Sequence, residues 1–193
     1  MTQVYTDDGK IVGVTVIEIG PCPVLAIKDK SLQLGFDPVK ETSLKKPVSG
    51  YFKKLNITPR KFIREVSKDS ALEYKVGQEL KVDLFKMGDF VDITGTSIGK
   101  GYQGGMKRWH WKGGPETHGS TSHRRVGSIG ASTTPGRVWK GHHMPGHMGN
   151  ITVTAQNMKV VKVDLENNLI LIKGAIPGRK NNYLVIKKAK KKK

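Results

Sequence analysis

The sequence predicts a mostly β chain, a barrel or sandwich of short strands, broken by one long irregular insertion. Three observations carry that prediction. Short runs rich in Val, Ile and Thr, separated by turn signals, recur through residues 1–94 and 151–186. Helical periodicity is nearly absent between them. Residues 95–150 instead hold all six histidines, all three tryptophans and 14 of the 23 glycines, with eight Lys/Arg and one acid, Glu116. Glycine brings no side chain and loses the most backbone entropy on ordering, so this stretch cannot bury enough apolar surface to fold against itself.

The elements follow in order. Gln3 to Thr6 and Ile11 to Ile19 are strand-like, and Asp7-Asp-Gly-Lys10 between them is a hairpin signal. Val24 to Ile27 gives a short strand. Pro47 to Leu55 sets Val48, Tyr51, Phe52 and Leu55 on one side of a short amphipathic helix. Thr58 to Glu65 reads equally as a helix start or a strand. Gln78 to Phe85 alternates, which predicts a strand with Leu80, Val82 and Leu84 on one face. Phe90 to Ile93 is a further strand that runs into the glycine-rich window. Beyond the window come strands at Ile151 to Ala155, Val160 to Asp164, Leu169 to Ile172 and Tyr183 to Ile186, with Glu166-Asn-Asn168 as a second hairpin turn. The two β parts together are long enough to bury about two-thirds of their surface on folding.

Charge divides the chain in the same places. The net charge is +18, yet residues 1–94 carry 15 basic and 13 acidic groups, and residues 151–178 carry three and two. The excess lies in the window and in the tail from Arg179 to Lys193, which has eight basic residues and no acid. A nearly neutral body with two cationic appendages implies a polyanionic partner. A charge run is often only a solvated face. That accounts for the Lys187 to Lys193 tail but not for the aromatics and glycines of the window. Cys22 is the only cysteine, so there is no disulfide framework, and in Pro21-Cys-Pro23 it reads as a small packed residue. No apolar run reaches the roughly 18 residues of a membrane span. The opening Met-Thr-Gln-Val lacks the basic and apolar regions of a signal peptide, so the chain reads as soluble and intracellular.

Within the window, Gly99-Lys-Gly-Tyr-Gln-Gly104 matches G-x-G-x-x-G, but a dinucleotide site needs a following helix and an acid about 20 residues on. Gly113-Gly-Pro115 interrupts first, so the motif reads as backbone able to approach phosphates, flanked by Lys100, Lys107 and Arg108. The histidine cluster of His142, His143 and His147, with His118 and His123, invites a metal reading. Cysteine and aspartate ligands are missing from the window, and Arg124 and Arg125 beside His123 favour an anion, so no metal is expected. These histidines suit hydrogen bonds to phosphate, 2′-hydroxyl or base edges. Ser120 and Ser122 near His118 or His123 lack the oriented base and elbow of a hydrolase, so no catalytic residue is assigned. Trp109, Trp111 and Trp139 each adjoin a cation (Arg108, Lys112 and Lys140), which matches base stacking joined to phosphate contact. Together these features point to folded RNA, with no cofactor, membrane or small-molecule substrate.

An ordered set of motifs carries a resemblance. They are Val91-Asp-Ile-Thr-Gly-Thr-Ser97, Gly99-Lys-Gly-Tyr-Gln-Gly104, Lys107-Arg-Trp109, Thr117-His-Gly119, Ser122-His-Arg124, Gly127-Ser-Ile-Gly130, Thr134-Pro-Gly136, Val138-Trp-Lys-Gly141, Met144-Pro-Gly-His-Met-Gly149 and Lys173-Gly-Ala-Ile-Pro-Gly178. Over nearly its whole length the chain resembles the bacterial-type third protein of the large ribosomal subunit, the universal L-three family. The resemblance implies a six-stranded β-barrel, related to that of translation factors, formed by residues 1–94 and 151–186. It implies a basic extension at 95–150 threading through rRNA, and a lysine tail at 187–193. Expected rRNA contacts then include Tyr102, Thr134 and Arg137 beside the residues named above. The innermost loop, at Ala131, Ser132, Thr133, Pro135 and Gly136, points towards the peptidyl transferase centre. The implied role is structural: starting large-subunit assembly, beside neighbouring large-subunit proteins, in the cytoplasmic ribosome or an organellar one. Family members usually carry further basic and glycine residues before the Met-Thr seen here as Met1-Thr2. Thr133 replaces a glutamine that many bacterial members methylate, so that modification is not expected. Two rivals are a non-ribosomal RNA-binding translation factor or RNA chaperone, and a metal-dependent hydrolase using the histidine cluster.

Overall fold

A computed structural model describes residues 1–6, 8–68 and 73–191. β-Branched residues suit a pleated, half-buried surface, and the first Val/Ile-rich runs form β1 (Thr2–Tyr5), β2 (Ile11–Glu18), β3 (Cys22–Ile27) and β4 (Ser31–Pro38). The helix α1 (Lys46–Leu55) precedes β5 (Arg60–Ser67), the two-residue β6 (Glu79–Leu80) and β7 (Phe90–Thr96). Then come β8 (Gly101–Gln103), the short helix α2 (Gly105–Trp109), β9 (Gly146–Met148), β10 (Thr152–Asp164), β11 (Leu169–Lys173) and β12 (Leu184–Lys188). The largest sheet runs β1-β2-β11-β10-β7-β12, a second runs β5-β4-β3-β6, and β8 pairs with β9.

The chain is mostly β, as the sequence predicts, but among the described residues the sheets stand open and none closes into a barrel. Four-residue β1 and five-residue β12 form the edges of the large sheet and leave short ladders there. Two compact units emerge. One comprises Met1–Asp92, Gln156–Ile176 and Lys187–Lys193; the other comprises Ile93–Ala155 and Pro177–Ile186. β7, β10 and β12 each pass from one unit to the other.

The core of the first unit takes in Val14 and Ile17 of β2, the adjacent Val24 and Leu25 of β3, Leu32 of β4 and the alternating Ile170 and Ile172 of β11, all buried. α1 closes over part of it with Phe52, 1% exposed, while Tyr51 donates its hydroxyl to Gln33 Oε1 at 2.7 Å. Pro47 sits in the first helical turn, where a missing N–H does no harm, and Asn56 ends the helix in the left-handed region (φ 54°).

Several expectations need adjustment. The β1–β2 pairing is antiparallel, with the Gly9 amide bonded to Thr6 O; Asp7 of the expected turn lies outside the described residues. Ser31–Pro38 is a further strand, β4, beyond those the sequence predicts. Thr58 to Glu65 resolves as strand from Arg60 onward, because Pro59 holds the preceding backbone extended. The predicted strand at Gln78 to Phe85 is corrected: only Glu79–Leu80 pairs as strand, and Val82–Leu84 is a 3₁₀ turn. Three residues per turn rotate the side chains apart, so Val82 is buried while Leu84 is 39% exposed. The strands expected at Ile151 to Ala155 and Val160 to Asp164 are one strand, β10. It bends at Asn157 (φ 56°), whose amide donates to Asp92 Oδ1, and shifts register between Val160 and Lys162. Cys22 is a free, half-buried thiol; burial pushes its pKa up and the Arg60 guanidinium offsets part of that.

Candidate nucleic-acid interface

The second unit begins within β7, at Ile93, and beyond that strand Lys100 donates its amide to Met148 O at 2.9 Å. β8 and β9 then pair, with Gly101 opposite Met148, Tyr102 opposite His147 and Gln103 opposite Gly146. This two-stranded base sets Tyr102, 76% exposed, across from the exposed His147.

Glycine shapes the next turn. α2 packs Gly105 directly under the ring of Trp111, and a Cβ at Gly105 would collide with that ring. Trp111 is therefore half-buried within the chain rather than presented. Trp109 is held too: its ring stacks on His143 at 4.0 Å and 4°, and its indole N–H donates to Met144 O at 2.8 Å. Arg108 donates Nη1 to that same carbonyl at 2.7 Å, with its guanidinium 4.9 Å from the Trp109 centroid. The Met144 carbonyl is thus a two-donor clasp between the outgoing and returning arms. Nothing in the sequence marks it, because the contact joins residues some 35 apart.

Beyond the clasp the chain stays open. The Gly114 amide donates to His123 O at 3.2 Å, and a Cβ there would stand 2.6 Å from Ser122 O. His123 Nε2 lies 2.7 Å from Ser120 O, and His118 has φ 56°. A cleft of about 760 Å³ is lined by Trp111, Lys112, Arg125, Ser128, His142 and His143. From Thr121 through His143 every residue is exposed, including Arg124, Thr134 and Lys140. Ser132 (φ 67°) and Gly136 (φ 66°) turn the tip, with a cis bond between Thr134 and Pro135 and exposed Ala131 and Thr133. Trp139 is 61% exposed with the Arg137 guanidinium 5.2 Å over its ring. Of the three tryptophans it is the most exposed; Trp109 is 37% exposed. The Trp139 carbonyl accepts the His142 amide at 3.3 Å.

Electrostatics separate this unit from the rest. The ion pairs join Lys28 to Glu65, Lys53 to Glu41 and Lys61 to Asp37, all in the first unit. Among the described residues, none of the cations Lys100, Lys107, Arg108, Lys112, Arg124, Arg125, Arg137 and Lys140 has an acidic partner. Also among the described residues, no three His, Cys, Asp or Glu side chains gather to hold a metal ion. No helix of the described chain is long and apolar enough to cross a membrane.

A β body that carries an open cationic arm, its base held by close glycine contacts, belongs by its relatives to the ribosomal proteins. The family described as Ribosomal protein L3 matches residues 67–168. The chain is 50% identical to the large ribosomal subunit protein uL3 of Brachyspira pilosicoli over 199 residues, covering 100% of this chain and 91% of that protein. It is 50% identical to the protein of that name from Alkaliphilus metalliredigens over 192 residues (96% and 91%), and 47% identical to that of Corynebacterium jeikeium over 198 residues (99% and 91%). The chain belongs to the ribosomal protein L3 family; it is a structural component, not an enzyme.

Proposed function

We propose that the chain is a constituent of the large ribosomal subunit that binds large-subunit rRNA through residues 95–150. In this reading the arm gains order on RNA. Lys100, Lys107, Lys112, Lys140, Arg124 and Arg125 meet phosphates, Trp139 stacks on a base under Arg137, and Tyr102, His118, His142 and His147 contact bases or ribose. The tip from Ala131 to Gly136 reaches towards the peptidyl transferase centre. Residues 1–94 and 151–186, in the family's barrel form, are the body that starts subunit assembly beside neighbouring large-subunit proteins. The tail, whose Lys192 and Lys193 lie outside the described residues, runs along phosphates without reading sequence. The working place is the ribosome of the cytoplasm. One observation carries this reading: an arm whose 23 consecutive residues from Thr121 to His143 are all exposed, with no cation among them held by an acidic partner.

An exposed, glycine-rich segment gains little by burying itself and much by displacing counterions from a polyanion. The test is sedimentation of tagged protein from lysate through a sucrose gradient at about 0.5 M salt, where simple electrostatic binding is screened. Co-migration with the large subunit is expected. Recovery only at the top of the gradient, with ribosomes intact, would overturn the reading in favour of a free RNA-binding factor.

A further inference from the structure

The first unit holds a cationic helix face that its own fold does not explain. Between residues 38 and 64 there are eight Lys/Arg and one acid, Glu41. α1 turns Phe52 into the core, and Tyr51 towards Gln33. Its outer face is different. Lys46, Gly50 and Lys53 stand at i, i+4 and i+7, which places them in one row, and all three are exposed. Lys45 and Lys54 add exposed ammonium groups beside that row.

Gly50 is the informative residue. Glycine inside a helix is less stable than alanine. Here the backbone is helical, and a Cβ would meet nothing within 4 Å. Intramolecular packing therefore gives no reason to omit the side chain, whereas a partner's backbone in close approach does. A cleft of about 610 Å³ opens at this row, lined by Glu41, Leu44, Lys46, Ser49, Gly50 and Lys53.

We propose that this face of α1 is a second RNA-docking surface, which seats the sugar–phosphate backbone of an RNA helix. Lys46 and Lys53, about 10 Å apart along the axis, take phosphates on either side of Gly50, where the missing Cβ lets the ribose edge come close. The inference rests on the proposed rRNA-binding function and extends it from the arm to the body. Charge and shape favour RNA over protein. Among the described residues no exposed large hydrophobic side chain lies between residues 28 and 75, so the face offers a protein no apolar anchor. Glu41 is the opposing group. Its carboxylate contacts Lys53 Nζ and accepts the Ser49 hydroxyl at 2.8 Å, on a surface where phosphate competes for the same ammonium.

The probe is a transcript of bacterial large-subunit rRNA, bound by the full chain and titrated with salt. Lys46→Gln with Lys53→Gln should weaken binding roughly tenfold near 0.1 M salt and reduce the log–log salt slope by about 1 to 2. Gly50→Ala should raise the melting temperature and yet weaken binding, a combination that a purely structural glycine does not give. Glu41→Gln should tighten binding. Arg124→Gln with Arg125→Gln is measured alongside to report on the arm. Loss in the arm variant with none in the α1 variants overturns the α1 surface and leaves the rRNA function standing. No loss in either set overturns that function as well. Unchanged RNA affinity with poor recovery of the α1 variants in large subunits assigns the face to a protein neighbour and overturns the proposal.

Discussion

The two compact units divide the buried surface very unequally. Among the described residues twelve hydrophobic side chains are buried; eleven lie in the unit formed by Met1–Asp92, Gln156–Ile176 and Lys187–Lys193, and only Ile93 lies in the other. The second unit instead holds 12 of the 14 glycines found between residues 95 and 150 at exposed or half-buried positions, Gly95 and Gly105 being the exceptions. One unit is held by apolar area removed from water. The other is held by contacts that need backbone closeness: Trp111 on Gly105, Gly114 on Ser122, and two donors on one Met144 carbonyl. Such contacts fix the base of the arm and leave Thr121 to His143 without a core. A chain can therefore specify a segment's path and still leave its stability to a partner.

Truncating a side chain in each unit is the strongest way to break that comparison. Phe52→Ala removes a ring that is 1% exposed and should destabilise by about 3–5 kcal/mol, lowering the melting temperature by roughly 10 °C. Val138→Ala, at a position 39% exposed, should stay within about 0.5 kcal/mol. Comparable melting losses in the two variants would mean that the arm has a core of its own.

The next effect is on binding. Trp139→Ala should weaken rRNA affinity by roughly 1–3 kcal/mol, the value of one stacked base, with an unchanged melting temperature. Arg137→Ala should follow it, since the guanidinium lies over that ring. A collapse of melting temperature in either variant would contradict the division between body and arm. Trp109→Ala tests the clasp, because it removes both the His143 stack and a bond to Met144 O. Hydrogen exchange at the Lys100 amide, paired with Met148 O, should speed up by a factor corresponding to about 1 kcal/mol.

Much of the body was legible because β-branched runs and turn residues state their geometry locally. Asp164-Leu-Glu-Asn-Asn168 shows it well: Asn168 takes φ 53°, and β10 pairs β11 with Asp164 opposite Leu169. Ser31–Pro38 was hidden because Gly35 and Pro38 read as breakers, although Leu32, Leu34 and Phe36 alternate. Gly35 is there because the Arg60 stem lies across it: a Cβ would stand 2.8 Å from Arg60 Cγ, a tertiary fact with no local sign. Val82 and Leu84 misled because alternate apolar residues fit a 3₁₀ turn as well as a strand. In the arm, composition revealed the kind of partner, but not that Trp109 and Trp111 are occupied internally while Trp139 is open. That distinction depends on Gly105 and Met144, which only the folded chain brings to those rings.

The smallest effect concerns acid. In the first unit Glu41, Glu65 and Asp164 all titrate below the ordinary carboxylate range: Glu41 through Lys53, Glu65 through Lys28, and Asp164 through the side chain and then the backbone of Asn167. A depressed folded pKa means that the folded state holds its proton less tightly than the unfolded chain does. The stability it contributes is fully present above the unfolded value, about 4 for Asp and Glu, and is lost as pH falls through the lower folded value. Asp164 is the cleanest case, because its Oδ1 accepts the amides of Glu166 and Asn167 at 3.1 and 3.3 Å and so closes the β10–β11 turn. Asp164→Ala should lower the melting temperature slightly at neutral pH, and the gap from the unaltered chain should narrow as pH falls through the lowered folded value of that carboxylate. A gap that stays undiminished however far the pH is lowered would show that the turn owes its stability to the shape of the side chain rather than to its charge. The exposed arm between Thr121 and His143, which has no carboxylate, should contribute nothing to this acid transition.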